Sequence, residues 1–287
     1  MLLTLRVAPL SVIYLWSWIL GVVAYYFKNN QRHIADVNLK IAYPQMPERE
    51  RKHLIRRVLV ETIKTILESI KFWQMEAAGL TALVKRIDGW EVLERAMQEQ
   101  KAVILLVPHL GNWELVNLYA SQIYPITGLY RAQKSAWLDD LMYRGRGKFG
   151  AHALTADANS VRGLMKAIKQ NHIIFILPDQ NPGKGSGVFA DFYNFPALTP
   201  VLPVRLAART EAKVLFAYCE RLPYAQGFCL RIEEAGAALA QDDTENACAA
   251  MNRELERLID RRPEQYWWGY SRYRHRPEGE PPLYRKD

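Results

Sequence analysis

The sequence predicts an α/β protein: a mostly parallel central sheet flanked by helices, with an N-terminal hydrophobic helix that anchors the chain to a membrane. Three observations predict it. The runs AVILLV (102–107) and HIIFILP (172–178) are apolar without alternation, as strands buried on both faces are. Stretches of helical period separate such runs, the order that builds parallel sheets. No charged side chain occurs from Val7 to Phe27.

The amino-terminal stretch reads LSVIYLWSWILGVVAYYF and is followed by Lys28 and Arg32. A bilayer core of about 30 Å takes roughly 20 apolar residues as a helix, so the length just suffices. Trp16, Trp18, Tyr25 and Tyr26 suit a headgroup belt, and the basic residues after it favour a cytoplasmic body. A secretory signal fits less well, since the stretch is led only by Arg6 and has no small-x-small site before the polar chain. A spanning helix and a helix lying on the membrane both remain open. The expected division is 1–30 for the anchor and 31–287 for the body.

Leu54, Val58, Ile63, Ile66, Leu67 and Ile70 recur at helical spacing between Glu48 and Leu80, which predicts about two amphipathic helices packing beside the anchor. A helix from Trp90 to Gln100 precedes AVILLV, and another starts near Trp113. Strand character returns at Tyr124–Tyr130, helix at 160–170, then HIIFILP. KVLFAYCE and GFCLRIEE read as strands about a Pro-Tyr-Ala-Gln-Gly turn, and a helix covers 244–261.

Composition narrows the class. The 287 residues include 38 Lys+Arg and 30 Asp+Glu, a formal charge of +8. At 49% hydrophobic the chain is too apolar for disorder, and a single candidate span excludes a multi-span membrane protein. Cys219, Cys229 and Cys248 form no CxxC pair, so neither a disulfide framework nor a zinc knuckle is expected. The basic excess points to an anionic partner: nucleic acid, an acidic protein or an anionic membrane lipid surface.

Ligands of such sheets gather beyond the carboxyl ends of the strands. AVILLV is followed there by Pro108-His109-Leu110-Gly111-Asn112-Trp113-Glu114, and HIIFIL by Pro178-Asp179-Gln180-Asn181-Pro182-Gly183. His109 and Glu114, five apart, would diverge by about 140° on one continuous helix. They cooperate only if His109 precedes the helix. Gly111 can turn the chain, Asn112 is a good N-cap, and Glu114 then lies in the first turn, where the helix dipole favours its charge. A histidine held by a glutamate is a general base, though a capped helix with an incidental histidine has the same pattern. The literal GxGxxG at 145–150 follows the helical stretch AWLDDLMYR rather than a strand, so it is no dinucleotide site. There is no G-x-S-x-G elbow. His33, His53, His152, His172 and His275 lack ligand spacing.

PHLGNWE resembles the H-x4-D/E motif of the lysophospholipid acyltransferase superfamily, and specifically of the lipid A biosynthesis acyltransferases. Tyr130-Arg131 through Arg146 is similar to that family's second block, Leu177–Pro200 to its third and fourth, and PEQYWWGYSRYRHRP to its closing segment. With the apolar amino terminus, the resemblance covers nearly the whole chain. Many relatives carry His-Arg where this chain has Tyr270-Ser271, and no role of that pair is transferred.

The resemblance implies acyl transfer from acyl carrier protein, as co-substrate, to a hydroxyl of a lipid A precursor at the inner membrane, with the catalytic domain cytoplasmic. It implies His109, Glu114, Arg146 and Asp179 as catalytic residues and Gly111, Asn112, Arg131 and Gln180 as substrate-binding ones. A thioester is already activated, so the protein need only deprotonate an alcohol and stabilise an oxyanion. His109 suits the first task; amides near Gly111 and Asn112, with Arg146, suit the second. Asp179 would orient Arg146 or a polar group of the substrate. No metal or redox cofactor is required.

Arg272, Arg274 and Arg276 can hold phosphates or form a solvated basic face. A membrane-anchored nucleic-acid-binding protein would share the charge but leaves PHLGNWE and the PDQ turn unexplained, so no nucleic acid is expected. Transfer to glycerol phosphate or a lysophospholipid is the nearer alternative.

Overall fold

The computed structural model describes residues 2–27, 29–155, 160–183 and 185–284; Lys28 and Lys184 lie outside them. The uncharged amino-terminal stretch is not one helix. Helix α1 (Leu2–Val7) is followed by a break, and α2 (Leu10–Tyr26) starts at Pro9, whose carbonyl accepts from the Val12 and Ile13 amides. The 17 residues of α2 rise about 25 Å, short of a bilayer core of about 30 Å. No single helix among the described residues is long and apolar enough to cross a membrane. Helices α2 and α3 (Asn30–Ala42), bent by 81°, pass that test only as a pair. One stripe of α2 is buried (Leu10, Ile13, Ser17, Gly21), while Leu15, Trp16, Trp18 and Tyr26 are exposed.

Helices α4 (Glu48–Phe72) and α5 (Ala77–Leu83) occupy the amphipathic region. As expected of a partner for the apolar helix, α4 carries Lys64 with its ammonium 4.6 Å from the Tyr14 ring centre on α2. The chain continues through β1 (Val84–Asp88), α6 (Trp90–Gln98), β2 (Val103–Leu106) and α7 (Trp113–Ala120). Then come β3 (Ile126–Tyr130), α8 (Ala136–Gly147), β4 (His152–Thr155), α9 (Ser160–Lys169) and β5 (Ile173–Ile176). After the hairpin β6 (Gly187–Phe192) and β7 (Phe195–Pro200) follow α10 (Leu202–Arg209), β8 (Lys213–Arg221), β9 (Phe228–Glu234) and α11 (Thr244–Ile259).

Seven strands form one sheet in the order β1-β9-β8-β2-β5-β3-β4. Every neighbouring pair is parallel except β8 with β9. The expected mostly parallel sheet is therefore present. Helix α6 packs on β9 and β2, α7 on β8, and α9 on β3, β4 and β5. Strand β2 is buried along its whole length because Val103–Leu106 presents apolar side chains to both faces.

The chain forms two compact units interleaved in sequence. The first takes the stretch up to Ile13, Thr65–Leu177 and Thr210–Ala235, and so holds the seven-stranded sheet. The second takes Tyr14–Lys64, Pro178–Arg209 and the chain from Gly236 onwards. In the second unit the β6–β7 hairpin packs on α11, where buried Asn252 donates to Thr199 Oγ1 at 3.0 Å. The hairpin turns on Tyr193 and Asn194, both at positive φ. Two of the three carboxyl-terminal arginines are spent inside this unit. Arg272 donates to Leu198 O (2.6 Å) and Thr199 Oγ1 (2.9 Å); Arg276 donates to Pro196 O and pairs with Glu280. Only Arg274 of the three is exposed, so the segment is not the basic face its composition allowed.

Candidate active site

The turn after β2 is built as the spacing required. His109 and Leu110 precede the helix, Gly111 sits at φ +64°, and the Asn112 side chain caps α7 by accepting from the Leu115 amide at 3.1 Å. Only glycine fits at 111: the conformation is left-handed, and a Cβ would collide with the Cys219 carbonyl of β8. Glu114 falls in the first turn of α7, where the unpaired amides of the helix start favour a negative charge.

Glu114 is 4% exposed, and a charge buried to that degree needs partners. It has three. The Arg146 Nε donates to Oε2 at 2.8 Å and to Oε1 at 3.1 Å, and its Nη2 also bonds Oε1. Trp73 Nε1 donates to Oε2 at 3.1 Å and Trp113 Nε1 to Oε1 at 3.2 Å. Burial pushes this carboxyl up, but Arg146, the Trp73 N–H and the charge of His109 outweigh it and hold it below its ordinary value. Glu114 is thus a carboxylate at neutral pH.

His109, also buried, packs edge-on against Trp113 with ring centres 4.6 Å apart. One tryptophan therefore touches the imidazole with its ring and the carboxylate with its N–H. Arg146 lies near the carboxyl end of α8, its guanidinium carbon 5.9 Å from the Tyr130 ring centre. The neighbouring Gly145 lets α8 approach Trp73, whose indole a Cβ would strike. Because Nε and Nη2 of Arg146 face Glu114, Nη1 is the donor left over. Its guanidinium stays charged: burial opposes the charge, and the Glu114 carboxylate more than offsets this. The Tyr130 hydroxyl, at the end of β3, is pushed up to about 12 by burial and by Asp139, to which it donates.

A second ion pair lies beneath the same turn, and it was not legible in the sequence. Arg221, at the end of β8, donates from Nε to both oxygens of Glu68 at 2.8 Å, and both side chains are fully buried. Arg221 Nη2 reaches Thr65 Oγ1 and, at 3.3 Å, Gly111 O, while Thr65 Oγ1 donates to Gly111 O at 3.2 Å. Asn112 Nδ2 donates to Glu68 Oε2 at 2.9 Å. The Asn112 amide is committed to Cys219 O at 2.9 Å, so of the two amides named above it has a partner already. The available signal was that Thr65, Glu68 and Phe72 share one face of α4, which puts a carboxylate inside an apolar stripe.

The remaining expected residues fall elsewhere. Arg131 is exposed just beyond β3 in the first unit. Asp179 and Gln180 belong to the second unit, Asp179 buried and Gln180 half-buried. Asp179 is bonded to the Tyr266 hydroxyl, whose pKa burial and the Asp179 charge push well up. In the same turn the Asn181 amide donates to the Tyr270 hydroxyl at 2.9 Å, and Asn181 Nδ2 to Ser271 O. Tyr270 and Ser271 thus tie this turn to the closing segment. Among the described residues, no group of three or more His, Cys, Asp or Glu side chains is placed to hold a metal ion.

The H-x4-E turn thus stands at the carboxyl end of a buried strand in a mostly parallel α/β sheet. The chain belongs to the bacterial lipid A biosynthesis acyltransferase family, which it matches over residues 1–275. It is 26% identical to a lipid A biosynthesis lauroyltransferase of Escherichia coli K12, over 96% of this chain and 90% of that protein. It is 25% identical to the lipid A biosynthesis palmitoleoyltransferase of the same organism, over 94% of this chain and 92% of that protein. A Haemophilus influenzae lipid A biosynthesis acyltransferase is 27% identical over 91% of this chain and 81% of its own. This chain is accordingly an acyltransferase enzyme.

Proposed function

We propose that this enzyme moves a fatty acyl group from acyl carrier protein directly to a hydroxyl of a lipid A precursor, working at an anionic inner-membrane surface with its catalytic domain cytoplasmic. His109 takes the proton of the acceptor hydroxyl as that oxygen attacks the thioester carbonyl. The tetrahedral oxyanion collapses with cleavage of the C–S bond, and the imidazolium returns the proton to the departing thiolate. No metal or cofactor enters.

The observation that carries the reading is the state of Glu114, a buried carboxylate locked by Arg146 and two indoles beside His109. A carboxylate so neutralised stabilises an imidazolium less than a bare one would, so its work is largely to hold the Trp113 indole that packs on the imidazole. Arg146 Nη1 and the start of α7 are the donors we assign to the oxyanion. Arg131 and Gln180, with Gly111 and Asn112, are assigned to substrate contact from the family motifs, and Asp179 to orienting a polar group of the substrate.

The deciding experiment offers one acyl donor to both acceptor classes. Turnover with a lipid A precursor and none with glycerol phosphate or a lysophospholipid is expected; the reverse sinks the acceptor assignment. Incubation with labelled acyl donor alone should leave no label on denatured protein. Covalent label that chases to product would overturn direct transfer.

A further inference from the structure

Inside the second unit, the end of α2, one side of α3 and the first turns of α4 line a cleft of about 530 Å³. Four cations line it, Arg32, Lys40, Arg51 and Lys52, against two carboxylates, Asp36 and Glu48. Asp36 is shared by Lys40 (2.8 Å) and Arg51 (2.9 Å), and Glu48 is held by Lys52 alone. Arg32 is fixed in place: its guanidinium lies over the Tyr25 ring at 4.6 Å, and Nη1 donates to Tyr25 O at 2.6 Å. The imidazole of His33 also lines the cleft, and among the described residues nothing bonds its buried Nε2. A buried polar atom without a partner calls for one. Excess positive charge and an orphaned ring nitrogen on one wall are what an oxyanion would satisfy.

What adjoins the cleft decides which oxyanion. Tyr26 and Phe27, next to Tyr25 in the chain, are about two-thirds exposed, and Trp18 and Val23 continue the exposed apolar surface along α2. A second hollow beside α2 and α4, of about 200 Å³, is lined by Trp18 with Arg56, Arg57, Lys64 and Glu61; Lys64 pairs there with Glu61 and Arg57 with Glu264, leaving Arg56 as the cation in excess. Exposed aromatic and aliphatic residues bordered by cations fit a headgroup region, where anionic phosphates lie directly above hydrocarbon. An acidic protein would match the charge and leave the apolar strip uncovered.

We propose that the Arg32–His33–Lys52 cleft binds the phosphate of an anionic phospholipid headgroup while the exposed face of α2 lies in the adjoining lipid. This rests on reading α2 as the membrane-facing element, and the test separates the two. The full chain is floated with neutral phosphatidylcholine vesicles and with vesicles that also contain phosphatidylglycerol, at one ionic strength. Wild type should bind both, the second more tightly. Arg32→Gln and Lys52→Gln should each weaken binding to the anionic vesicles about fivefold and leave neutral-vesicle binding and the melting midpoint unchanged. Arg144→Gln, which removes an exposed cation on α8, should leave the preference intact.

Equal losses in all three variants would mean that only net charge matters, and would overturn the proposal. Release from anionic vesicles by inorganic phosphate at constant ionic strength would make the cleft a general oxyanion site and overturn the lipid assignment. Unchanged vesicle binding with a raised KM for acyl carrier protein in Arg32→Gln would give the cleft to the carrier instead. Failure of wild type to bind neutral vesicles would reject the α2 reading, whereas loss of the anionic preference alone would reject the cleft.

Discussion

The turns after β2 and β5 look alike in sequence, each a polar segment opened by proline at the end of a buried apolar strand, yet they are held in different ways. The first is fixed by charge. Two arginine–carboxylate pairs converge on it, half-buried Arg146 with buried Glu114 and fully buried Arg221 with Glu68, and the second pair also grips Gly111 O and the Asn112 side chain. The second carries hydrogen bonds to phenol and backbone: Asp179 with Tyr266, Asn181 with Tyr270 and Ser271. A turn built on charge is costly to make, since each ion must be desolvated, and it fails badly when one partner is lost. Holding an imidazole and a carboxylate in one geometry is a task that justifies such a construction.

The largest effect expected from this contrast is on rate. His109→Ala should lower turnover by at least about 10²-fold, the lower end for a positioned general base, with the melting midpoint retained. Turnover within a few-fold of wild type would remove the charge-built turn from the chemistry. Next comes stability. Arg221→Met leaves the Glu68 carboxylate buried without its cation and should cost about 3–5 kcal/mol in denaturant unfolding. Glu68→Leu combined with Arg221→Met should recover much of that loss while turnover stays low, because Gly111 O and Asn112 remain unsupported. A double variant with full activity would show that the pair is not needed to shape the turn.

A third, smaller effect depends on pH. The Glu114 carboxyl lies below its ordinary value of 4.5 in the folded protein. Its contribution to stability is therefore fully present above that value and is lost as pH falls through the lower folded value. Glu114→Gln should be less stable than wild type by about 1–3 kcal/mol at pH 7, and the gap should close on the acid side of pH 4.5. A gap independent of pH would mean that the carboxylate charge does not hold the turn.

Much of the first turn was legible because local rules govern it. An apolar run must be a buried strand, Asn before Trp-Glu must cap, and glycine alone tolerates the left-handed step, so β2, α7 and the order His109–Gly111–Asn112–Glu114 could all be read. The cations and indoles that complete it could not. Glu68 lies on, and Trp73 directly follows, a helix whose periodicity said only that it packs, and Arg221 closes a strand that reads as apolar. Strands β1 and β4, half-exposed and only five and four residues long, carry too little pattern to detect. The continuous apolar stretch at the amino terminus was misleading in one respect, since its composition does not reveal the break before Pro9.

The smallest effect is expected at Asp179, and it sharpens the comparison most. Asn in place of Asp179 keeps an oxygen to accept from the Tyr266 hydroxyl and removes only the charge. The bond is buried, so its weakening should cost on the order of 1 kcal/mol of stability. The Tyr266 hydroxyl, raised first by burial and then by the Asp179 charge, should titrate closer to its ordinary range, which ultraviolet difference spectra against a Tyr266→Phe background can follow. If Asp179 orients a polar group of the substrate by hydrogen bonding, KM for the acceptor should rise several-fold with little change in the pH profile. If its charge serves the reacting atoms, turnover should instead fall by as much as in His109→Ala. That result would make the second turn a catalytic one and would break the distinction between the two.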